Sequence, residues 1–131
     1  DCLVPNPQGI SVRPDFQVLV YPVISFSDSI GHIGSRNNLL GQNPSPAKIL
    51  AYSAEENVSS ETPQALLIHC TADDVVSYKN SLVYYNALLK NNVPADLHIY
   101  SKGGHGFGTR KTNLPVDAWM DIVQEWINNI K

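Results

Sequence analysis

Apolar positions along this chain repeat at two different periods. Residues 16–23 (FQVLVYPV) form a nearly unbroken apolar run rich in β-branched and aromatic side chains, and residues 65–70 (ALLIHC) form a second. Runs of this length and make-up predict strands covered on both faces, as in a parallel sheet. Pro22 falls near the end of its run, where a missing N–H matters least. Residues 95–100 (ADLHIY) predict a third strand whose polar–apolar alternation leaves one face wetter.

Helical signals fall between and after these runs. Ser45 followed by Pro46 predicts a helix start, a capping hydroxyl with proline at the first helical position. Ser53 with Glu56 matches a capping box, so this region predicts two short helices rather than one. A helix capped by Ser77 or Asn80 runs to about Asn91, with Leu82, Tyr85 and Leu89 at core spacing, and the pair Val93 and Pro94 stops it. At the C-terminus, Val116, Trp119, Met120, Val123, Trp126, Ile127 and Ile130 share one stripe at the helical period and predict a core-facing helix. Residues 25–42 read as a long irregular connection of the kind that shapes pockets. Strand then alternates with helix three times, which predicts right-handed crossovers and a parallel sheet with helices on its faces.

Length and composition narrow the classes. The 131 residues (1–131) make one domain at most by length, enough to bury a real core. The net charge is −3 and the nine Lys and Arg are scattered, which argues against a nucleic-acid partner. No apolar run approaches the roughly 20 residues that span a bilayer, so no membrane partner is expected. Cys2 and Cys70 make no disulfide framework; Cys70, at the end of an apolar run, reads as a small buried thiol. Nothing in the sequence fixes a compartment. Residues 1–14, with three prolines and one glycine, read as a connector.

In open α/β sheets, ligands sit beyond the carboxyl ends of the strands, so the residues after each strand carry the chemistry. After the second run come Thr71, Ala72, Asp73 and Asp74. After the third come Lys102, Gly103, Gly104, His105, Gly106, Phe107 and Gly108. A histidine acting as general base needs an acceptor on its other ring nitrogen, to fix its tautomer and stabilise the imidazolium. Glycines beside it allow positive-φ turns that aim the ring. Either loop alone also reads as an ordinary turn, with a solvated histidine or a capping aspartate. Together, each just past its own parallel strand, they read as a site that pairs a carboxylate, Asp73 or Asp74, with His105.

At these residues a family resemblance becomes specific. The stretch from His69 to Ser77 (HCTADDVVS) resembles the His-Gly-x-x-Asp-x-x-Val-Pro segment that carries the acid in many α/β-hydrolases, and residues 102–108 (KGGHGFG) resemble their histidine loop. Residues 21–25 (YPVIS) and 34–41 (GSRNNLLG) fit the same pattern, as do the Asn80 and Leu97 regions. These resemble the bacterial esterase/lipase group with acetyl-xylan-esterase-like and dienelactone-hydrolase-like members, from about Arg13 to the C-terminus. The resemblance implies a partial α/β-hydrolase fold: three parallel strands with flanking helices, lacking the N-terminal, nucleophile-bearing half. It assigns Asp73 as the acid, with Asp74 in a variable slot, and His105 as the general base. Cys70 replaces the usual glycine and Ser77 the usual proline, changes compatible with a turn.

The nucleophile expected from that resemblance is a serine on a Gly-x-Ser-x-Gly elbow, preceding the acid and histidine in chain order. Gly9 and Ser11 have only the first glycine of that pattern, and Gly34 and Ser35 have the wrong spacing. The expected activity is carboxylic-ester hydrolysis on a small ester or an acylated carbohydrate, with no cofactor and no metal; His32, His69, His98 and His105 do not fall in a zinc spacing. Two alternatives stand beside it: half of a prolyl-oligopeptidase-like serine peptidase, and a catalytically incomplete remnant serving as a structural or interaction module. The strand at 16–23 reads as interior yet comes first. Its unpaired edge predicts self-association or a bound N-terminal half.

Overall fold

The computed structural model of the chain describes residues 8–130. Cys2 and the first half of the predicted connector lie outside them. Three strands, β1 (Phe16–Val20), β2 (Gln64–Cys70) and β3 (Ala95–Tyr100), form one parallel sheet in the order β1-β2-β3. The register sets Val18 beside Leu66, and Leu67 beside Leu97. The central strand is covered on both sides, with Ala65 to Ile68 wholly buried. Its alternation divides the core. Ala65 and Leu67 face a cluster with Ile24, Tyr84, Leu88 and Val93; Leu66, Ile68 and Cys70 face one with Phe107 and Val116. Each fully buried aliphatic side chain contributes roughly 1.5–3 kcal/mol, so β2 is the spine that fixes where the loops after it emerge.

Helix α3 (Lys79–Lys90) covers the first face and α4 (Trp119–Asn129) the second. The buried face of α3 is Asn80, Ser81, Tyr84 and Leu88, one step out of phase with the predicted Leu82, Tyr85 and Leu89; Leu89 is half exposed. The buried polar pair Asn80 and Ser81 sets that phase, and an apolar period cannot see it. Neither Ser77 nor Asn80 acts as the N-cap residue, which is Tyr78. Ser77 Oγ accepts the Lys79 N–H from just outside the helix, while Asn80 lies within its first turn.

The predicted irregular connection at 25–42 contains a helix, α1 (Ile33–Leu40). Its sequence, IGSRNNLL, has no amphipathic stripe and poor intrinsic propensity. It forms because His32 Nδ1 caps it, accepting the Ser35 N–H at 3.2 Å. Helix α2 (Pro46–Tyr52) begins as expected, with Ser45 Oγ accepting the Lys48 N–H. The capping box predicted at Ser53 and Glu56 does not form. Ser53 Oγ instead accepts the Phe26 N–H and donates to the Ile49 carbonyl, and residues Ala54–Asn57 make a 3-10 turn.

The C-terminal stripe is broken at its start by a 3-10 turn over Pro115–Ala118. Asp117 draws the turn together by accepting the Thr112 and Asn113 N–H groups and the Thr112 hydroxyl. Val116, Trp119, Ile122, Val123 and Trp126 then pack on the sheet, whereas Met120 and Ile127 point outward. Both indoles are partly buried and hydrogen-bonded, Trp119 Nε1 to the Gly108 carbonyl and Trp126 Nε1 to Asp96. No helix among the described residues is long and apolar enough to cross a membrane.

Candidate active site

β2 and β3 are hydrogen-bonded neighbours running in one direction, so the loops after them leave the same rim. Register places Cys70 beside Tyr100, and the Thr71 N–H donates to the Tyr100 carbonyl at 2.8 Å, which holds the two exits together. From there Asp73 and His105 converge. His105 Nδ1 lies 2.8 Å from Asp73 Oδ2. The carboxylate is buried and the imidazole is 30% exposed. One ring nitrogen is thus anchored inside and the other is left toward the rim.

Asp73 is held on both oxygens. Oδ1 accepts the Val75 and Val76 N–H groups at 3.0 and 2.8 Å, and Oδ2 faces His105 and, at 3.2 Å, His69 Nε2. Burial pushes its carboxyl upward. The donors from Val76, His105 and Val75 outweigh that, and the group is held below its ordinary range. It is therefore an anion at neutral pH, with its charge directed at the imidazole. Asp74, one residue on, is exposed and takes no part in this network.

His69 is the member that the sequence did not assign to the site. Its ring is wholly buried between Ser81 Oγ, 2.7 Å from Nδ1, and the Val76 carbonyl, 3.0 Å from Nε2. A carbonyl can only accept, so Nε2 carries the proton and Nδ1 accepts from the serine hydroxyl. Burial holds this imidazole below its usual 6.5 and outweighs the opposing pull of the Val76 carbonyl and Asp73. A neutral His69 thus turns its N–H to the Val76 carbonyl, with Asp73 Oδ2 3.2 Å away. Its signals were its place at the head of the segment that resembles the acid motif and its polarity inside an apolar strand.

The histidine loop is shaped by glycine. Gly103, Gly104, Gly106 and Gly108 all have positive φ, as expected from the sequence. At Gly103 the space is also closed: a Cβ there would lie 2.5 Å from Cys70 Sγ and 3.1 Å from Val116 Cγ1. Phe107, 2% exposed, plugs the loop into the core behind His105. Cys70 itself is buried and free, its thiol pushed up by burial and then by the Asp73 charge, which suits an inert packing residue.

Among the described residues no hydroxyl hydrogen-bonds to His105 Nε2, and no three His, Cys, Asp or Glu side chains gather as metal ligands would. The geometry is an oriented acid–imidazole pair whose outer ring nitrogen has no hydrogen-bonding hydroxyl among the described residues, an arrangement that can hold and pass on a proton.

Residues 17–130 match the Prolyl oligopeptidase family. The chain belongs to the prolyl oligopeptidase family. Similar proteins include an acetylxylan esterase of Xylanibacter ruminicola, 34% identical over 91% of this chain and 26% of its own length. An endo-1,4-beta-xylanase B of Butyrivibrio fibrisolvens is 35% identical over 77% of this chain and 16% of its own length. Among solved structures, an acetyl ester-xyloside bifunctional hydrolase from Caldicellulosiruptor lactoaceticus superposes with a TM-score of 0.85 at 41% identity, covering 88% of this chain and 42% of that one. A metagenomic α/β hydrolase, 24% identical with a TM-score of 0.62, shares the fold. The architecture is therefore a part of the α/β-hydrolase fold, and the chain spans less than half the length of these relatives. The resemblance to acetyl-xylan-esterase-like proteins read from residues 69–77 and 102–108 agrees with these relatives.

Proposed function

We propose that this chain supplies the acid, Asp73, and the general base, His105, of a carboxylic-ester hydrolase acting on acylated carbohydrates. The observation that carries the reading is the 2.8 Å contact from Asp73 Oδ2 to His105 Nδ1, with Oδ1 held by the Val75 and Val76 N–H groups. A serine hydroxyl from outside the described residues would attack the acyl carbon as His105 Nε2 takes its proton. The imidazolium, charge-stabilised by Asp73, then protonates the leaving alkoxide and frees the alcohol. Water, deprotonated by the same nitrogen, cleaves the acyl-enzyme to release the acid and restore the serine.

The carbohydrate half of the reading rests on a second feature. A cavity of about 520 Å³ opens beside Asp73, lined in part by Ser29, His32, Thr71, Asp74, Ser77 and Tyr78. Hydroxyl, carboxylate and aromatic groups around one hollow suit a polyol leaving group. The acetylxylan esterase and the acetyl ester-xyloside hydrolase among the relatives point to the same chemistry.

The test is a chimera in which residues 16–131 replace the matching part of the Caldicellulosiruptor hydrolase. It should hydrolyse p-nitrophenyl acetate and acetylated xylan. Asp73→Asn should lower kcat by about 10⁴-fold through loss of the correct imidazole tautomer. A chimera that cleaves a proline-containing peptide anilide but not the acetate would replace the esterase reading with the peptidase one. A folded chimera inert to both would leave the structural-module reading.

A further inference from the structure

We propose that Tyr21 is a positioning residue, whose ring, presented by a left-handed backbone at the end of β1, holds the His105 imidazole in the plane that meets Asp73. The consequence for turnover rests on the ester-hydrolase reading; the positioning itself does not.

Tyr21 has φ of +42°, and among the described non-glycine residues it shares a positive φ only with Asn43, Asn92 and Asn113. Asparagine tolerates that region because its short side chain bonds locally; a bulky aromatic residue does not. Pro22 restricts the residue before it further. The chain nevertheless adopts this geometry, and fixed contacts define it on each side. The Tyr21 N–H donates to the Ile68 carbonyl at 2.8 Å, continuing the β1–β2 ladder, and the chain turns immediately afterwards. The ring lands with its centroid 4.7 Å from that of His105, tilted by 56°, and 4.8 Å from that of Phe107, edge to face. Backbone strain in such a place belongs to sites whose surroundings over-determine it.

The arrangement answers a geometric need. A single hydrogen bond from Nδ1 to Asp73 leaves the imidazole free to swing about the bond axis. The loop that carries it has four positive-φ glycines and offers little resistance of its own. A ring packed on the imidazole removes that freedom. Phe107, anchored in the core, keeps the Tyr21 ring from retreating. The π face of Tyr21 also favours the positive charge that His105 gains in each proton transfer. The ends of all three strands thus meet at one imidazole: β1 sends Tyr21, β2 sends Asp73 and β3 sends His105.

The test reads ¹⁵N shifts of the His105 ring in the 131-residue chain at a pH where it is neutral. Wild type and Tyr21→Phe should show the Nδ1–H tautomer. Tyr21→Leu and Tyr21→Gly should shift toward a mixture with the Nε2–H form. Glycine takes φ of +42° without cost, so Tyr21→Gly keeps the backbone if the leucine variant fails to fold. In the chimera the two ring-less variants should lose roughly 10–100-fold in kcat with KM unchanged, and Tyr21→Phe should match wild type. Ring-less variants that keep the wild-type spectrum overturn the proposal. A wild-type His105 that is not Nδ1–H would instead sink the pairing with Asp73, a separate failure.

Discussion

Three donors converge on Asp73, and only one belongs to the imidazole proposed to work on substrate. The other two, the Val75 and Val76 N–H groups, help hold the carboxylate ionised and still. Asp73 and His105 were legible because each lies just past its own strand, and adjacent parallel strands deliver their exit loops to one rim. His69 was legible as the head of the acid segment and as a polar residue inside an apolar run, but its role was not, since that depends on Ser81 and Val76. It carries a pH signature. Its folded-state pKa lies below 6.5, so between those two values the unfolded chain binds more protons than the folded one. Its contribution to stability is therefore complete above 6.5 and is lost as pH falls through that window toward the folded-state pKa. The urea midpoint should fall on acidification below neutrality, and His69→Gln should flatten that slope. A variant with the same slope as wild type would show that His69 does not stay neutral in the fold. Asp73, also depressed, adds its own loss at still lower pH.

Elements with a strong apolar period were readable, and those held by single polar side chains were not. β1, β2 and β3 stand close to where their runs predicted, with β1 cut short by Tyr21. α1 was missed because a histidine cap and packing make it, and the phase of α3 was missed because Asn80 and Ser81 face inward. Asn80 shows why such residues matter. Wholly buried, its Oδ1 accepts the Ile24 and Ser25 N–H groups, and its Nδ2 donates to the Ile30 and Ser77 carbonyls. One side chain on α3 thereby ties down the segment after β1, part of which lines the cavity beside Asp73. Asn80→Ala would strand two buried N–H groups and weaken the loop at Ile30. It should cost about 2–6 kcal/mol in urea denaturation, at 1–3 kcal/mol for each orphaned group. Asn129→Ala, which loses one exposed bond to the Glu125 carbonyl, should cost under about 0.5 kcal/mol. Equal losses for the two would mean that the loop is held by something other than Asn80.

At the scale of the whole molecule, the open question is what β1 meets on its far side. Among the described residues β1 pairs with β2 alone, although its side chains are no more exposed than those of β3, the other edge. In a parallel ladder, successive residues direct their backbone groups to opposite neighbours. The Tyr21 N–H points to Ile68, so Gln17 and Leu19 also face β2, and Phe16, Val18 and Val20 direct theirs to the open edge. Such an edge is a template for another strand. In relatives of which this chain covers 42–48%, more than half of the protein lies outside the matched part, and part of it could pair there. The chain alone is therefore predicted to self-associate through β1, with apparent mass rising across micromolar concentrations in sedimentation velocity. Val18→Pro removes an outward N–H and no bond to β2, and proline is tolerated on edge strands. That variant should stay folded and sediment as a monomer. A wild-type chain that is monomeric at low and high concentration alike would show that the edge is blunted without a partner, and the pairing proposed at β1 would fall.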